Sequence, residues 1–192
     1  MIIRTALAAS VLTLGACVSV NAPADSMSGH EHHMMQHSAP EAASARGAVL
    51  GASGAAVGSV TAVQGMKGVL IRVEIEAGGL TPGWHGIHLH AVGDCSDTGT
   101  FTISGGHHGK VEGGHGLMNP DGPEEGDLPN IWVGADGAAH YETYSGLFEL
   151  APALDADGLA LIIHESPDDH VSQPIGGAGA RVACSVIEPG GS

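Results

Sequence analysis

The chain has 192 residues, enough for one domain of ordinary size together with additional segments. Hydrophobic residues make up 43% and aromatic residues 3%, so a core can form, but few rings are present on which single-stranded nucleic acid could stack. The formal net charge of −15 excludes a protein that binds a phosphate backbone, whereas 13 histidines against 6 lysines and arginines point to metal binding.

Residues 1–16 are predicted to be a secretory signal peptide. Arg4 precedes an apolar run over residues 6–14, which is shorter than a membrane-spanning helix. Residues 14–17 read LGAC and are similar to the lipobox of bacterial lipoproteins, in which the cysteine is lipidated and becomes the first residue of the mature chain. We therefore expect a periplasmic lipoprotein, attached to a membrane only through a lipid on Cys17. The alternatives are release without a lipid and a buried core helix.

Residues 17–46 are predicted to form a disordered tail, because they show no hydrophobic periodicity and are rich in Ala, Ser, Met and His. Imidazole and thioether groups suit copper, so a tail that captures copper is the more specific hypothesis. The residues predicted to bind copper there are His30, His32, His33, Met34, Met35 and His37. The alternative is a solvated linker whose histidines are incidental.

The remaining chain, residues 47–188, is predicted to be one all-β domain. Val69, Ile71, Val73 and Ile75 alternate with polar or outward-facing positions, as expected for a half-buried strand. Strands are predicted at 47–53, 58–64, 69–76, 86–92, 131–134, 138–141, 159–164 and 181–187. Gly-Gly, Pro-Gly and Asp-Gly pairs separate these runs, and no segment has a sustained helical period, so we expect an antiparallel sandwich or barrel.

Three histidines of the predicted strands are candidate metal ligands. His88 and His90 are separated by one residue, so their side chains point to the same face of a strand and can grip one ion. His164 ends the apolar run that begins at Leu159. Taken alone, a His-x-His pair is weak evidence for a metal site.

The long segment 95–130 carries a second candidate set. His107 follows two glycines, His115 comes eight residues later, and Asp127 follows in turn. Two imidazoles and a carboxylate are a reasonable ligand set for zinc, and loops of this length usually carry function.

Two cysteines remain once Cys17 is assigned to lipidation. Cys95 and Cys184 form an even pair in an exported chain, which favours a disulfide over two unpaired buried thiols.

Together these segments resemble the copper,zinc superoxide dismutases, in particular their exported bacterial branch. The resemblance covers residues 47–187. It rests on HGIHLHAVGDC at 85–95, GGH at 105–107, EGDLPN at 125–130, IIHESPDD at 162–169 and GGAGARVACSVI at 176–187. It implies a Greek-key β-sandwich or barrel with long metal-binding and active-site loops.

The resemblance also implies roles for individual residues. The copper ligands would be His88, His90, His107 and His164. The zinc ligands would include His107, His115 and Asp127, with His107 bridging the two ions. Asp168 would hydrogen-bond one histidine of each site, and such a partner fixes tautomer and ring orientation. Arg181 would receive the superoxide anion beside copper, and Cys95–Cys184 would be the family disulfide.

The zinc loop departs from the family pattern. Glu124 stands where the family has a third zinc histidine, and it is either a zinc ligand through oxygen or a solvated loop carboxylate. Two added glycines, 113 and 114, precede His115 and suggest a loosened loop. We therefore expect zinc binding to be weak or absent, with His108 and Glu112 as candidate substitute ligands.

The expected function is that of a periplasmic superoxide dismutase, in which a Cu(II)/Cu(I) cycle converts superoxide to oxygen and hydrogen peroxide. Arg181 and His107 are the predicted catalytic residues, the latter delivering protons. Arg181 is one of few cations in a chain of charge −15. We therefore expect it to be the lone cation beside copper and to attract superoxide only at short range. The alternative is a copper-buffering protein of the same fold with little turnover. A structural or adhesive β-sandwich is the weakest hypothesis, and the sequence leaves a monomer and a homodimer open.

Overall fold

The computed structural model describes residues 43–190, whose regular secondary structure is almost entirely β. Within this range nine strands occur: β1 (Ser44–Gly51), β2 (Ala56–Gln64), β3 (Val69–Ile75), β4 (Gly83–His85), β5 (Ile87–His90), β6 (Ile131–Val133), β7 (Ala139–Ser145), β8 (Leu159–His164) and β9 (Arg181–Pro189). One 3-10 turn spans Thr102–Ser104, and one short helix, α1, spans Leu150–Ala153. The predicted all-β class is confirmed.

Seven strands form one antiparallel sheet in the order β5-β8-β9-β1-β2-β3-β7. Neighbours such as β5 and β8, β9 and β1, or β3 and β7 are distant in the chain, so crossover connections of the Greek-key kind join them. Strands β4 and β6 pair separately. The edge strands of the seven-stranded sheet are β5 and β7. Only Gly86 separates β4 from β5, and β6 contacts β7, so the β4–β6 pair links these two edges.

The core follows from the alternation of side chains along the strands. In β3, Val69, Ile71, Val73 and Ile75 are buried while Arg72 and Glu74 are exposed, as the sequence pattern predicts. Strands β5 and β8 are buried on both faces, because one face packs into the core and the other is covered by the long loops.

Several boundaries differ from the predicted ones; strand β4 was not predicted, and β7 extends to Ser145 instead of ending at residue 141. β1 begins at Ser44, so residues 44–46 belong to the domain rather than to the tail, because Ala45 is buried and pairs with Ala62 and Pro189. The predicted strand 86–92 is shorter in the structure, where β5 covers 87–90 and Gly86 separates it from β4, which belongs to the other sheet. Helix α1 was not predicted because four residues are too few to show a helical period.

The disulfide between Cys95 and Cys184 is confirmed and joins the loop after β5 to strand β9, with 5.8 Å between the two Cα atoms. The predicted signal peptide, the lipidation site Cys17 and the histidine- and methionine-rich segment lie outside the described residues. Among residues 43–190 no helix has the length and apolar character needed to cross a membrane.

Candidate metal centre

Strands β5 and β8 bring three buried histidines together. His88 and His90 lie on the same face of β5, and β8 pairs with β5 so that His164 ends beside them. One nitrogen of each ring lies within 4.8 Å of the others, and all three residues are at most 1% exposed. The sheet register therefore brings His164 beside two histidines that precede it in the chain by 76 and 74 positions.

In each of these rings, one nitrogen points away from the other two rings, and this outer nitrogen is held by a hydrogen bond. His88 Nε2 donates to Asp168 Oδ2 at 2.8 Å, His90 Nδ1 donates to the Gly105 carbonyl at 2.9 Å, and His164 Nδ1 donates to the Gly179 carbonyl at 3.1 Å. These bonds assign the proton to the outer nitrogen and leave a lone pair on the inner one. The inner nitrogens, His88 Nδ1, His90 Nε2 and His164 Nε2, are buried and have no hydrogen-bond partner.

His107 lies between this cluster and a second one. It pairs with His90 in an isolated β-bridge, and its ring centroid is 4.3 Å from that of His88 and 5.2 Å from that of His90. Both of its ring nitrogens are buried without a hydrogen-bond partner. Nδ1 faces the carboxylates of the second cluster, so Nε2 is available to the first, which is the arrangement required of a bridging ligand.

The second cluster is formed by the long loop. His88, His107, His115 and Asp127 offer ligand atoms within 4.8 Å of one another. Asp127 Oδ1 lies 2.7 Å from His115 Nδ1 and 3.2 Å from His107 Nδ1. Its other oxygen, Oδ2, accepts the backbone N–H groups of Gly116 and of residue 124, so the loop backbone fixes the carboxylate.

Glu124 adjoins this cluster and is not a solvated carboxylate. It is 3% exposed, and its Oε2 lies 2.8 Å from His107 Nδ1. Its Oε1 accepts the backbone N–H of Val111 at 3.0 Å, which anchors it to the preceding loop. The alternative of a solvated loop residue was therefore wrong.

Asp168 connects the two clusters through its carboxylate. Oδ2 accepts from His88, and Oδ1 accepts from His115 Nε2 at 3.3 Å and from the His170 backbone N–H at 2.6 Å. Burial opposes ionisation of Asp168, but the hydrogen bonds from His115 and His88 outweigh it and lower the pKa. The carboxylate predicted to orient one histidine of each cluster lies in position to do so.

Burial controls the protonation of the first cluster. It lowers the pKa of His88 to about 4, that of His164 to about 3 and that of His90 to about 2, with nearby Arg181 adding to the effect at His90. These imidazoles are neutral at pH 7, the form that binds metals. In the second cluster burial is outweighed by hydrogen bonds to Asp127 and Asp168, which raise the pKa of His115 to about 9.

A small cavity of about 130 Å³ opens beside His107 and contains two cations. The Arg181 guanidinium is fixed by hydrogen bonds to the Phe101 carbonyl at 2.6 Å, to Ser104 Oγ at 2.9 Å and to the Gly105 carbonyl at 2.8 Å. Gly105 also accepts from His90, so one loop positions both the cation and a metal-facing histidine.

The second cation of the cavity is Lys110, which the sequence analysis did not single out. Among residues 43–190 no carboxylate lies within 4 Å of its ammonium group, which is therefore free to act on an anion. The expectation that Arg181 is the lone cation of the site was wrong. The position of Lys110 three residues after His107 was the available signal, but nothing local indicates that the loop turns back toward the cavity.

The predicted substitute ligands do not join either cluster. His108 Nε2 lies 3.1 Å from Glu125 Oε2, and its ring packs at 5.9 Å from that of Phe148. Glu112 is exposed at the loop surface.

The two clusters fit a pair of metal ions. Five buried nitrogen atoms without hydrogen-bond partners, on His88, His90, His107 and His164, would cost folding free energy unless a metal bound them. A set of four imidazoles suits copper, and a mixed set of imidazole nitrogen and carboxylate oxygen suits zinc. Fold and site together define an antiparallel β protein with two adjacent clusters of candidate metal ligands, between which His107 lies.

Comparison with known proteins agrees with this class. The family model described as copper/zinc superoxide dismutase matches residues 56–187. A copper-zinc superoxide dismutase of Caulobacter vibrioides is 49% identical over 152 residues, which cover 76% of this chain and 86% of the relative.

Solved structures give the same result for the fold. A double mutant of a SOD-like protein from Bacillus subtilis superposes with a TM-score of 0.66 at 34% identity, over 73% of this chain and 95% of that one. The Cu/Zn superoxide dismutase of Brucella abortus gives a TM-score of 0.62 at 29% identity, over 76% and 99%. The chain belongs to the copper/zinc superoxide dismutase family, an oxidoreductase family whose cofactors are copper and zinc.

Proposed function

We propose that the protein is a periplasmic superoxide dismutase that converts superoxide to oxygen and hydrogen peroxide. The observation that carries this proposal is the Arg181 guanidinium, held by three hydrogen bonds in a cavity that is also lined by His90 and His107. A protein that only stores copper has no use for a fixed anion receptor beside the metal ligands. Bound copper supplies one-electron chemistry, alternating between Cu(II) and Cu(I) as one superoxide is oxidised and a second is reduced.

The histidines of the first cluster hold the metal without moving their own protons. His88, His90 and His164 keep a proton on the outer nitrogen, where Asp168 or a backbone carbonyl accepts it. His107 differs because neither of its nitrogens has such a partner. Its Nε2 is therefore the atom proposed to hold and deliver a proton to the reduced substrate.

The two cations of the cavity attract and place the anion. The formal charge of −15 repels superoxide at long range, so attraction depends on local positive charge. Arg181 is fixed and oriented by hydrogen bonds, whereas Lys110 is exposed at the cavity, so we assign binding to the first and approach to the second.

The proposed location rests on the start of the chain. Residues 1–16 have the pattern of a signal peptide and Cys17 follows a lipobox-like sequence. The Cys95–Cys184 disulfide is typical of an oxidising compartment such as the periplasm. In the same proposal, the tail segment from His30 to His37 captures copper. Expression of Cys17→Ser tests the anchor: the variant should leave the membrane fraction, and membrane retention equal to that of the unaltered chain would contradict lipidation.

The decisive experiment is the rate of superoxide decay after pulse radiolysis, measured with the protein loaded with copper and zinc. A dismutase should approach the diffusion ceiling of about 10⁸–10⁹ M⁻¹s⁻¹. Arg181→Gln should lower the rate at least tenfold, whereas Arg72→Gln, a matched control on the exposed surface of β3, should leave it unchanged. A negligible rate at full copper occupancy would refute the proposal and favour a copper-buffering member of the family.

A further inference from the structure

The carboxylate of Glu124 is placed as a metal ligand although the surrounding sequence did not decide its role. It is 3% exposed, and its Oε2 lies 2.8 Å from His107 Nδ1. The pair is close but not aligned as a hydrogen bond, since His107 Nδ1 has no hydrogen-bond partner. A buried carboxylate oxygen and a buried ring nitrogen this close, with no hydrogen bond between them, can both bind one metal ion.

The distances among the donors fit a tetrahedral ion. Ligands about 2.0–2.1 Å from zinc lie about 3.3–3.4 Å apart in a tetrahedron. His107 Nδ1 lies 2.8 Å from Glu124 Oε2 and 3.2 Å from Asp127 Oδ1. The same Asp127 oxygen lies 2.7 Å from His115 Nδ1. A shift of a few tenths of an ångström at each donor would accommodate the ion. His88 lies near the same cluster, but its Nε2 is already bonded to Asp168, so it does not supply the fourth donor.

The position of Glu124 also matters for the anion cavity. Glu124 lines the same cavity as Lys110 and Arg181. An ionised carboxylate there opposes the two cations that attract superoxide. A zinc ion ligated by Glu124 and Asp127 balances both negative charges, so zinc binding increases the net positive charge of the cavity, to which Arg181 and Lys110 contribute.

We propose that Glu124 is the fourth ligand of the zinc site, completing a set of two imidazoles and two carboxylates, and that zinc bound there removes a negative charge from the path of the substrate anion. The ligand assignment stands independently of the activity. The part that concerns superoxide rests on the proposed function.

The ligand assignment is tested by zinc affinity, measured by competition with a chromogenic chelator, and by the visible spectrum of Co(II) bound in place of zinc. Glu124→Gln keeps the size of the side chain and an oxygen for the Val111 N–H, but it loses the charged ligand. We expect its zinc affinity to fall on the order of 100-fold and the Co(II) spectrum to lose its tetrahedral character. Glu125→Gln is the matched control, because that neighbouring side chain is half exposed and faces His108 instead. It should bind zinc within threefold of the unaltered protein.

Glu124→His separates loss of a ligand from loss of structure. It supplies a different donor at the same position and should bind zinc within about tenfold of the unaltered protein. If Glu124→Gln binds zinc normally, or if Glu124→His loses zinc as completely as Glu124→Gln does, the ligand assignment is overturned. These measurements report on zinc whether or not the protein turns over superoxide.

The charge effect is tested with copper-loaded, zinc-free protein at low ionic strength. Under these conditions Glu124→Gln should react with superoxide on the order of two to five times faster than the unaltered chain, because one repulsive charge is absent from the cavity. The difference should shrink at high salt. Equal or slower reaction of Glu124→Gln at low salt would overturn this part. Absence of dismutase activity in the copper- and zinc-loaded protein would instead refute the proposed function and leave the ligand assignment intact.

Discussion

Replacing Asp168 with asparagine removes one acceptor from a carboxylate that serves two metal clusters. Oδ1 accepts from the His170 backbone N–H at 2.6 Å and from His115 at 3.3 Å, whereas Oδ2 accepts from His88 at 2.8 Å. The asparagine oxygen can take only one of these places. Placed at the Oδ1 position, this oxygen keeps the bonds from His170 and His115. The side-chain NH₂ group would then face the N–H of His88, and neither group can accept.

The cost of that mismatch can be estimated from the structure. Asp168 and His88 are buried, with side chains 1% and 0% exposed, so water cannot replace the lost acceptor. A buried N–H left without a partner costs about 1–3 kcal/mol, which corresponds to roughly a 5-fold to 150-fold loss in equilibrium terms. Loss of the outer hydrogen-bond partner of a metal ligand typically weakens metal affinity by about 10–100-fold, in the same range. We expect copper affinity to fall by this amount and zinc affinity to fall by less than about fivefold.

The assay is competition with chelators for copper and for zinc, combined with the paramagnetic resonance spectrum of Cu(II). Asp169→Asn is the matched control, because Asp169 is exposed and accepts only from Val171 and Ser172. It should leave both affinities unchanged. The reasoning would be refuted if Asp168→Asn bound copper as tightly as the unaltered protein, or if it lost more zinc affinity than copper affinity.

Three further predictions concern the disulfide, the cavity and a loop carboxylate. Replacing Cys95 and Cys184 together by alanine should lower the free energy of unfolding in urea by about 4–5 kcal/mol, because the bond links residues 89 positions apart; a loss below about 1 kcal/mol would contradict this. Lys110→Gln should lower the rate constant for superoxide about twofold at low ionic strength and not at about 1 M salt, since an ammonium about 8 Å from an anion contributes about 0.5 kcal/mol in water; salt-independent rates would count against an approach role. Hydrogen bonds, first that from the Thr102 side chain, lower the pKa of Asp97 from 3.8 to about 2. Its stabilising contribution is therefore present above about pH 4 and is lost as the pH falls through about 2. Thr102→Val should raise the midpoint in a carboxyl NMR titration, and an unchanged midpoint would contradict the assigned cause.

The zinc loop departs from the family pattern, yet specific contacts hold its described residues together. The added glycines at 113 and 114 suggested a loosened loop with weak or absent zinc. The described loop nevertheless holds His115 against Asp127 at 2.7 Å and keeps Glu124 buried. The N–H of Val111 bonds to Glu124 across thirteen residues, which ties the glycine-containing segment to the site. The strength of zinc binding itself remains a prediction.

Features that depend on short spacing along the chain could be predicted from the residues alone. Alternation from Val69 to Ile75 predicts a strand with one buried face, and the separation of His88 and His90 places both imidazoles on one face, because side chains of a strand repeat every two residues. The resemblance in motifs added the identity of the distant partners. It did not say how a residue that departs from the motifs would pack.

Features that depend on contacts between distant segments became apparent from the folded chain. The pairing of β5 with β8 sets His164 beside His88, and this register is not encoded in either strand alone. Whether Glu124 is solvated or buried depends on the path of the loop that covers it, and so does the presence of Lys110 beside Arg181. Burial and electrostatic environment arise when separate segments pack against one another, so local sequence patterns do not determine them.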